Sequence, residues 1–340
     1  MIETITVWFS QVHAAVFEAA VLPLLGLLGL RNFMEDAFDF TEWFLVGLIE
    51  MAFLAAVILP LERWRPADRR AVQGPGDRAR VDIAYTLLHR LGGFAILVFA
   101  VMQPLVLDLK DGLRDWGLAG FNLDSALGLT YVPVLAALIY LLVLDFVDYW
   151  MHRFQHQWSW WWALHAVHHS QRRMTVWTDN RNHLLDDLIR DAVLAFVALL
   201  IGVAPAQFLG FVVITRVWQS VQHSNIAIAF PASLSRLLVS PGFHRVHHAV
   251  GLGHEGRAKG VNFAVLFPVW DWAFKTADWS GDQRLARGDA LDPTGIRDQE
   301  YGVNYGNGFW QQQWIGLRHL AAAVARKPPS ETTPAVSAER

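Results

Sequence analysis

Four stretches of the chain are apolar over lengths near the ~20 residues that a helix needs to cross a bilayer. The first covers residues 14–30, with Glu18 and Pro23 interrupting it. The second covers 43–61 and contains Glu50, so this carboxyl either faces a partner inside a bundle or is protonated. The third runs from about 83 to 107, with His89 and Arg90 towards one end, and the fourth from 128 to 147. The loops between them differ in sign. Six arginines and two aspartates lie between Arg63 and Arg80, whereas residues 31–42 hold one arginine and four acids. Arginine-rich short loops stay inside, which places both ends of this four-span unit in the cytoplasm.

Beyond the fourth span, Asp145, Asp148, His152 and His156 recur at helical spacing, so the helix continues past the lipid. Trp158, Trp160, Trp161 and Trp162 follow and are expected to anchor at headgroup depth. Residues 192–215 are apolar again but break at Gly202–Pro205. Each arm has only ten to twelve uninterrupted apolar residues, too few for a crossing, which predicts a re-entrant helical hairpin with its tip at Pro205. Residues 308–325 look like an interfacial helix, and 327–340 read as a disordered tail. The reading is thus all-α integral membrane: about four transmembrane helices, a hairpin, and a cytoplasmic helical cap. Its parts are an N-terminal membrane region (1–81), a core (82–276), a C-terminal segment (277–326) and the tail (327–340).

Composition supports the membrane assignment and narrows the chemistry. The apolar fraction is 54% with positive mean hydropathy, and there are 16 tryptophans. A net charge of −3 without a basic aromatic patch argues against nucleic acid. The absence of cysteine excludes disulfides, thiolate–zinc sites and iron–sulfur clusters. Glu3, rather than a lysine or arginine, precedes the first apolar run, so no cleaved leader is expected.

Ten of the 14 histidines fall between positions 152 and 248. His152 and His156 are four apart; His165, His168 and His169 form one cluster, and His244, His247 and His248 repeat its spacing. His183 and His223 lie between. Side chains three or four apart share a helix face, so each pattern aims imidazoles at one point. Neutral imidazole is a ligand for iron, copper and zinc, and one ion rarely takes more than six ligands. The count therefore implies two metals. Asp145 and Asp148, one or two turns before the first pair, are positioned to accept hydrogen bonds from ligand imidazoles.

The runs Asp145-x-x-Asp-Tyr-Trp-x-His-Arg-x-x-His156, His165-x-Val-His-His-Ser170 and Phe243-His-Arg-Val-His-His248 resemble the fatty acid hydroxylase/sterol desaturase superfamily. Asn262 and the later Val-Trp-Asp271-x-x-Phe resemble its closing motif, and the likeness covers roughly residues 82–276. The resemblance implies a membrane di-iron oxygenase using O2 and two electrons, with zinc able to replace iron in purified protein. Its ligands would be His152, His156, His165, His168, His169, His244, His247 and His248, with His223 and His183 as further members. Gln219 departs from the pattern, standing where some members carry another histidine. With no fused cytochrome b5-like domain in view, electrons are expected from a separate ferredoxin, cytochrome b5-like protein or reductase, or from a pterin. The implied reaction is hydroxylation of a lipid C–H bond. Desaturation and alkylglycerol monooxygenase-like ether-lipid cleavage use the same site. A di-zinc lipid hydrolase and a non-catalytic lipid- or metal-binding protein are the rivals from other classes.

Overall fold

The computed structural model describes residues 2–72, 77–115, 117, 121–255 and 258–325. The expected tail at 327–340 and residues 73–76 of the arginine-rich loop lie outside them. Among the described residues every regular element is helical, and extended pairing is limited to two isolated bridges, Pro66 with Ile226 and Ala249 with Thr294. Three helical stretches have the length and apolarity to cross a membrane: Thr6–Leu28, Arg31–Trp64 and Pro133–Gln157. Arg80–Arg90 and Gly93–Val106 form a fourth if counted as one span bent by 52°. Gly92 supplies the bend, with a positive φ of 82° that other residues resist. Pro133 opens its helix at a position where the missing N–H costs nothing.

The predicted hairpin is a pair of helices, Leu184–Leu200 and Pro205–His223. Its arms are longer than the apolar run implied. At 17 and 19 residues each reaches about 25–28 Å, by the 1.5 Å rise per residue. The helices continue through polar residues because those residues find buried partners, which a count of apolar positions misses. The tip touches the approach to the Pro133–Gln157 helix: Leu123 N donates to Ile201 O (3.0 Å) and Asn122 Nδ2 to Gly202 O (3.1 Å). Tyr140, Leu144, Ala198 and Phe211 pack between the two. At the root, Asp179 and His223 are 3.3 Å apart, so the chain returns to where it left.

Glu50 faces partners. Its Oε2 lies 2.9 Å from Arg90 Nη1 and 3.0 Å from Arg216 Nη2. Arg90 in turn donates from Nη2 to Asp179 Oδ2 at 2.8 Å. A Cβ on Gly47 would collide with the Arg90 carbonyl, so only glycine lets these two helices cross closely enough for the pairing. The C-terminal helix Phe309–Ala325 is inverted relative to a soluble one. It buries Gln312 and Gln313, while Trp310, Trp314, Leu317 and Val324 are exposed.

Removing one member of a buried ion network leaves the others unpaired, at about 3–5 kcal/mol. Glu50→Ala is therefore expected to lower stability by that order, read as earlier unfolding in a denaturant series of the detergent-solubilised protein.

Candidate metal centre

Two groups of buried histidines stand where the cap helices meet. His152, His156, His165, His169 and His247 form one; His168, His223, His244 and His248 form the other. Within each, one potential ligand atom per residue lies within 4.8 Å of all the rest. The first pair comes from the end of Pro133–Gln157, where four-residue spacing aligns the rings. The second cluster rides on Ser159–His169, and the third on the short helix Pro241–His247. Ser240 caps that helix, its Oγ accepting from Phe243 N at 2.9 Å. His169 and His168 sit side by side in sequence and so face different groups.

The Nε2 atoms converge. His168 and His223 approach Nε2 to Nε2 at 3.1 Å, His223 and His244 at 2.9 Å, and His244 and His248 at 3.1 Å. In the other group His169 Nε2 is 3.2 Å from both His165 Nε2 and His247 Nε2. Five of the nine Nδ1 atoms point the other way, to acceptors. His152 Nδ1 donates to Phe263 O (2.8 Å), His247 Nδ1 to Val261 O (2.8 Å), His168 Nδ1 to Arg181 O (3.3 Å) and His223 Nδ1 to Gln219 O (2.8 Å). His165 Nδ1 is 3.0 Å from Asp186 Oδ2.

These partners assign the tautomers. A carbonyl only accepts, so a neutral ring bonded to it through Nδ1 keeps a bare lone pair on Nε2. His168 and His223 then present two lone pairs to each other at 3.1 Å. A shared proton would relieve this, but burial pushes both rings below their usual 6.5. A metal cation between them relieves it. The donor set thus fits a metal in each group: neutral imidazoles, Nε2 inward, Nδ1 held from outside. Burial and then the neighbouring rings also lower His169, His244, His247 and His248 well below 6.5.

The outer partners come from afar. Residues 261–267 supply two of the carbonyls and are braced by carboxylates. Asp271 accepts from Phe263 N and Ala264 N, each at 2.8 Å, while Asp145 accepts from Leu266 N (2.8 Å), Phe267 N (3.0 Å) and Trp270 Nε1 (2.9 Å). Asn262, at φ 59°, ties this segment to Phe243 O at 2.8 Å. Asp186 also accepts from Gln155 Nε2 (2.7 Å) and Trp161 Nε1 (2.6 Å).

Three expectations are corrected. Asp145 and Asp148 do not bond the imidazoles: Asp145 holds the 266–270 turn and Asp148 pairs with Arg190, partners that reach them across tertiary contacts. The carboxylates that do face the rings are Asp186 and Asp179, which no spacing flagged. His183 stands outside both groups. Its Nε2 donates to Gln313 O (2.9 Å) and its Nδ1 accepts from Leu185 N (3.1 Å), leaving no nitrogen for a metal. Gly316 gives the room, since a Cβ there would strike the His183 ring. Trp161 and Trp162 turn inward, being in helical phase with His165 and His169, so they do not anchor at the surface. His254, outside the spaced clusters, lies with its ring 4.5 Å from that of His169.

Fold and site together define an all-helical membrane protein with a paired histidine centre. Residues 137–276 match the family model for fatty acid hydroxylase. Over 276 residues the chain is 26% identical to an ornithine lipid hydroxylase of Rhizobium tropici, covering 77% of this chain and 75% of that protein. It is 28% identical over 135 residues to the alkylglycerol monooxygenase of Caenorhabditis elegans (39% of this chain, 25% of that one). The Danio rerio alkylglycerol monooxygenase is 30% identical over 135 residues (40% and 29%). The chain thus spans under a third of the alkylglycerol monooxygenases it matches. No solved structure matches it. As a hydroxylase and monooxygenases, the relatives agree with the expected oxidoreductase class.

His183→Ala is expected to keep full metal content while costing about 1–3 kcal/mol, because the Gln313 carbonyl is left unsatisfied. His168→Ala is expected to empty the four-histidine group. Elemental analysis of both variants checks this. A second expectation concerns pH. The rings that burial holds below 6.5 (His168, His169, His223, His244, His247 and His248 among them) stay neutral when folded but take up protons when unfolded below about that value, so the unfolded chain binds more protons there. Stability of the chelator-treated chain should be unaffected by pH above that value and fall as pH drops below it, as thermal unfolding at pH 7.5 and 5.5 would register.

Proposed function

We propose that this chain is a membrane-bound di-iron oxygenase that hydroxylates an unactivated C–H bond of a lipid, using O2 and two electrons. The observation that carries the reading is the pair of buried histidine clusters, each able to hold a cation, with opposed lone pairs between His168 and His223. The family match over 137–276 adds the reaction class. The ligands are His152, His156, His165, His169 and His247 for one iron and His168, His223, His244 and His248 for the other. Iron held by neutral imidazoles supplies redox chemistry with dioxygen, which a lipid lacking any polar handle at the reacting carbon requires.

The chain's own residues do the rest. Phe263 O, Val261 O, Arg181 O, Gln219 O and Asp186 hold the rings in one tautomer and orientation. Burial of all nine imidazoles keeps bulk water from the reacting atoms. The apolar helices offer the substrate a path from the bilayer. The arginine-rich loop supports a cytoplasmic cap, and in this reading a separate electron-donor protein or a pterin reaches it there. In this reading residues 1–81 are the membrane region, 82–276 the catalytic unit and 277–326 its interfacial supplement. Zinc is expected to replace iron on overproduction, since it outranks ferrous iron in intrinsic affinity.

The lipid hydroxylase relative, matched over three quarters of its length, favours a polar membrane lipid such as an ornithine lipid as substrate. The shorter alkylglycerol monooxygenase match supports a second reading, oxygenation beside an ether bond. Iron-loaded protein in nanodiscs, given each lipid, a reductase system and heavy-isotope O2, tests both. One incorporated heavy oxygen is the expected result. A product two hydrogens lighter without label makes the protein a desaturase, and equal turnover under strict anaerobiosis sinks the oxygenase reading.

A further inference from the structure

Five of the nine imidazoles in the two groups have an outside acceptor for Nδ1; the Nδ1 atoms of His156, His169 and His244 are buried without one, and of these His169 has a second orphan beside it. Its Nε2 faces His165 and His247, each at 3.2 Å, so its Nδ1 points away from the group. That nitrogen is buried and has no hydrogen-bond partner. With Nε2 on a metal, neutral His169 must carry its proton on Nδ1, which makes it a buried donor in need of an acceptor.

A complementary orphan lies beside it. The His254 ring centroid is 4.5 Å from that of His169, with the rings nearly perpendicular at 88°. His254 Nε2 donates to Gly295 O at 3.2 Å, which leaves its Nδ1 as a lone-pair acceptor. This Nδ1 is also buried without a partner. Trp162 closes the remaining side, its ring 5.1 Å from His254 and 5.5 Å from His169.

The backbone is built to bring His254 there. Gly251 takes a positive φ of 86°, and a Cβ on Gly253 would collide with the His247 carbonyl. The loop therefore folds back directly onto the third histidine cluster. The Gly295 carbonyl is fixed as well, because Gly295 N donates to His248 O (3.1 Å) and Val250 N to Pro293 O (2.9 Å).

We propose that His254 is a positioning residue of the five-histidine centre, its Nδ1 accepting the Nδ1–H of His169 directly or across one water. It does for His169 what Asp186 does for His165. The proposal rests on the paired-metal reading above, and its test needs no turnover. The full chain in nanodiscs is stripped with chelator and titrated with cobalt(II), whose visible spectrum reports ligand geometry. His254→Phe fills the volume but cannot accept a hydrogen bond; His254→Gln can, through its carbonyl. The Phe variant is expected to weaken one of two bound cobalt ions by about 10–100-fold and to shift its absorption. The Gln variant is expected to recover most of the affinity. Two cobalt ions held by the Phe variant with wild-type affinity and spectrum overturn the proposal, as does an equal loss in both variants, which would mean packing alone. A wild-type chain that binds fewer than two ions defeats the paired-metal reading itself, and this inference with it.

Discussion

Lone-pair repulsion between imidazoles is the constraint from which the rest of the structure can be derived. The Nε2 atoms of His168 and His223, 3.1 Å apart and each bare because Nδ1 donates to a carbonyl, are not stable together in an apolar interior without a cation to join them. The surrounding chain must therefore hold the rings in place whether or not they are satisfied. Much of the cap serves that end. The 261–267 segment has no regular structure, yet Asp271, Asp145 and Asn262 fasten it at both ends so that two of its carbonyls meet two histidines. A carboxylate bonded to several backbone N–H groups is a rigid clamp, and here the clamp acts on a ligand one step removed.

The same logic reaches into the membrane helices. Glu50, Arg90, Asp179 and His223 form a continuous chain of contacts at 2.9, 2.8 and 3.3 Å. An acid in an apolar helix is expensive alone, and a second acid beside a metal group would be equally so. Arg90 offsets both. It also couples the position of the Arg31–Trp64 helix to the ring plane of a histidine in the four-membered group. A displacement of that helix is thereby felt at the site.

The histidine boxes were legible because helical spacing is a local property: three or four residues apart means one face, whatever surrounds the helix. The four apolar stretches were legible for the same reason, and all four recur as helices. What spacing could not supply was the far partner. Asp145 and Asp148 have the right phase to sit near His152, but phase fixes direction only within a helix and says nothing of what a neighbouring segment offers. The turn at 266–270 and Arg190 took them instead. Asp186 and Asp179 carried no signal, since each meets its ring across a tertiary contact. His183 shared the family context, yet its fate was decided by Gly316 on a helix 130 residues away, close enough to reach both ring and backbone. Trp161 and Trp162 could have been placed correctly. Their phase with His165 and His169 is a local property of the helix, and it outweighs the interfacial preference of tryptophan.

The stretch that matches the family, 137–276, does not hold its own site together. From the N-terminal side, Glu62 Oε1 accepts from Val176 N (2.8 Å) and Asn225 N (2.7 Å), beside the second histidine cluster and His223. From the C-terminal side, Gln313 bonds His183, Leu184 N and Tyr85, so one residue joins the cap, the hairpin root and a membrane helix. Gly295 reaches His254 from beyond the match as well. These are buried hydrogen bonds to backbone and to neutral side chains, which tolerate little change in distance or identity at both ends together. The chemistry is carried by a short, recognisable core. The geometry that makes nine imidazoles converge is distributed over a much longer length of chain, where sequence patterns are weakest.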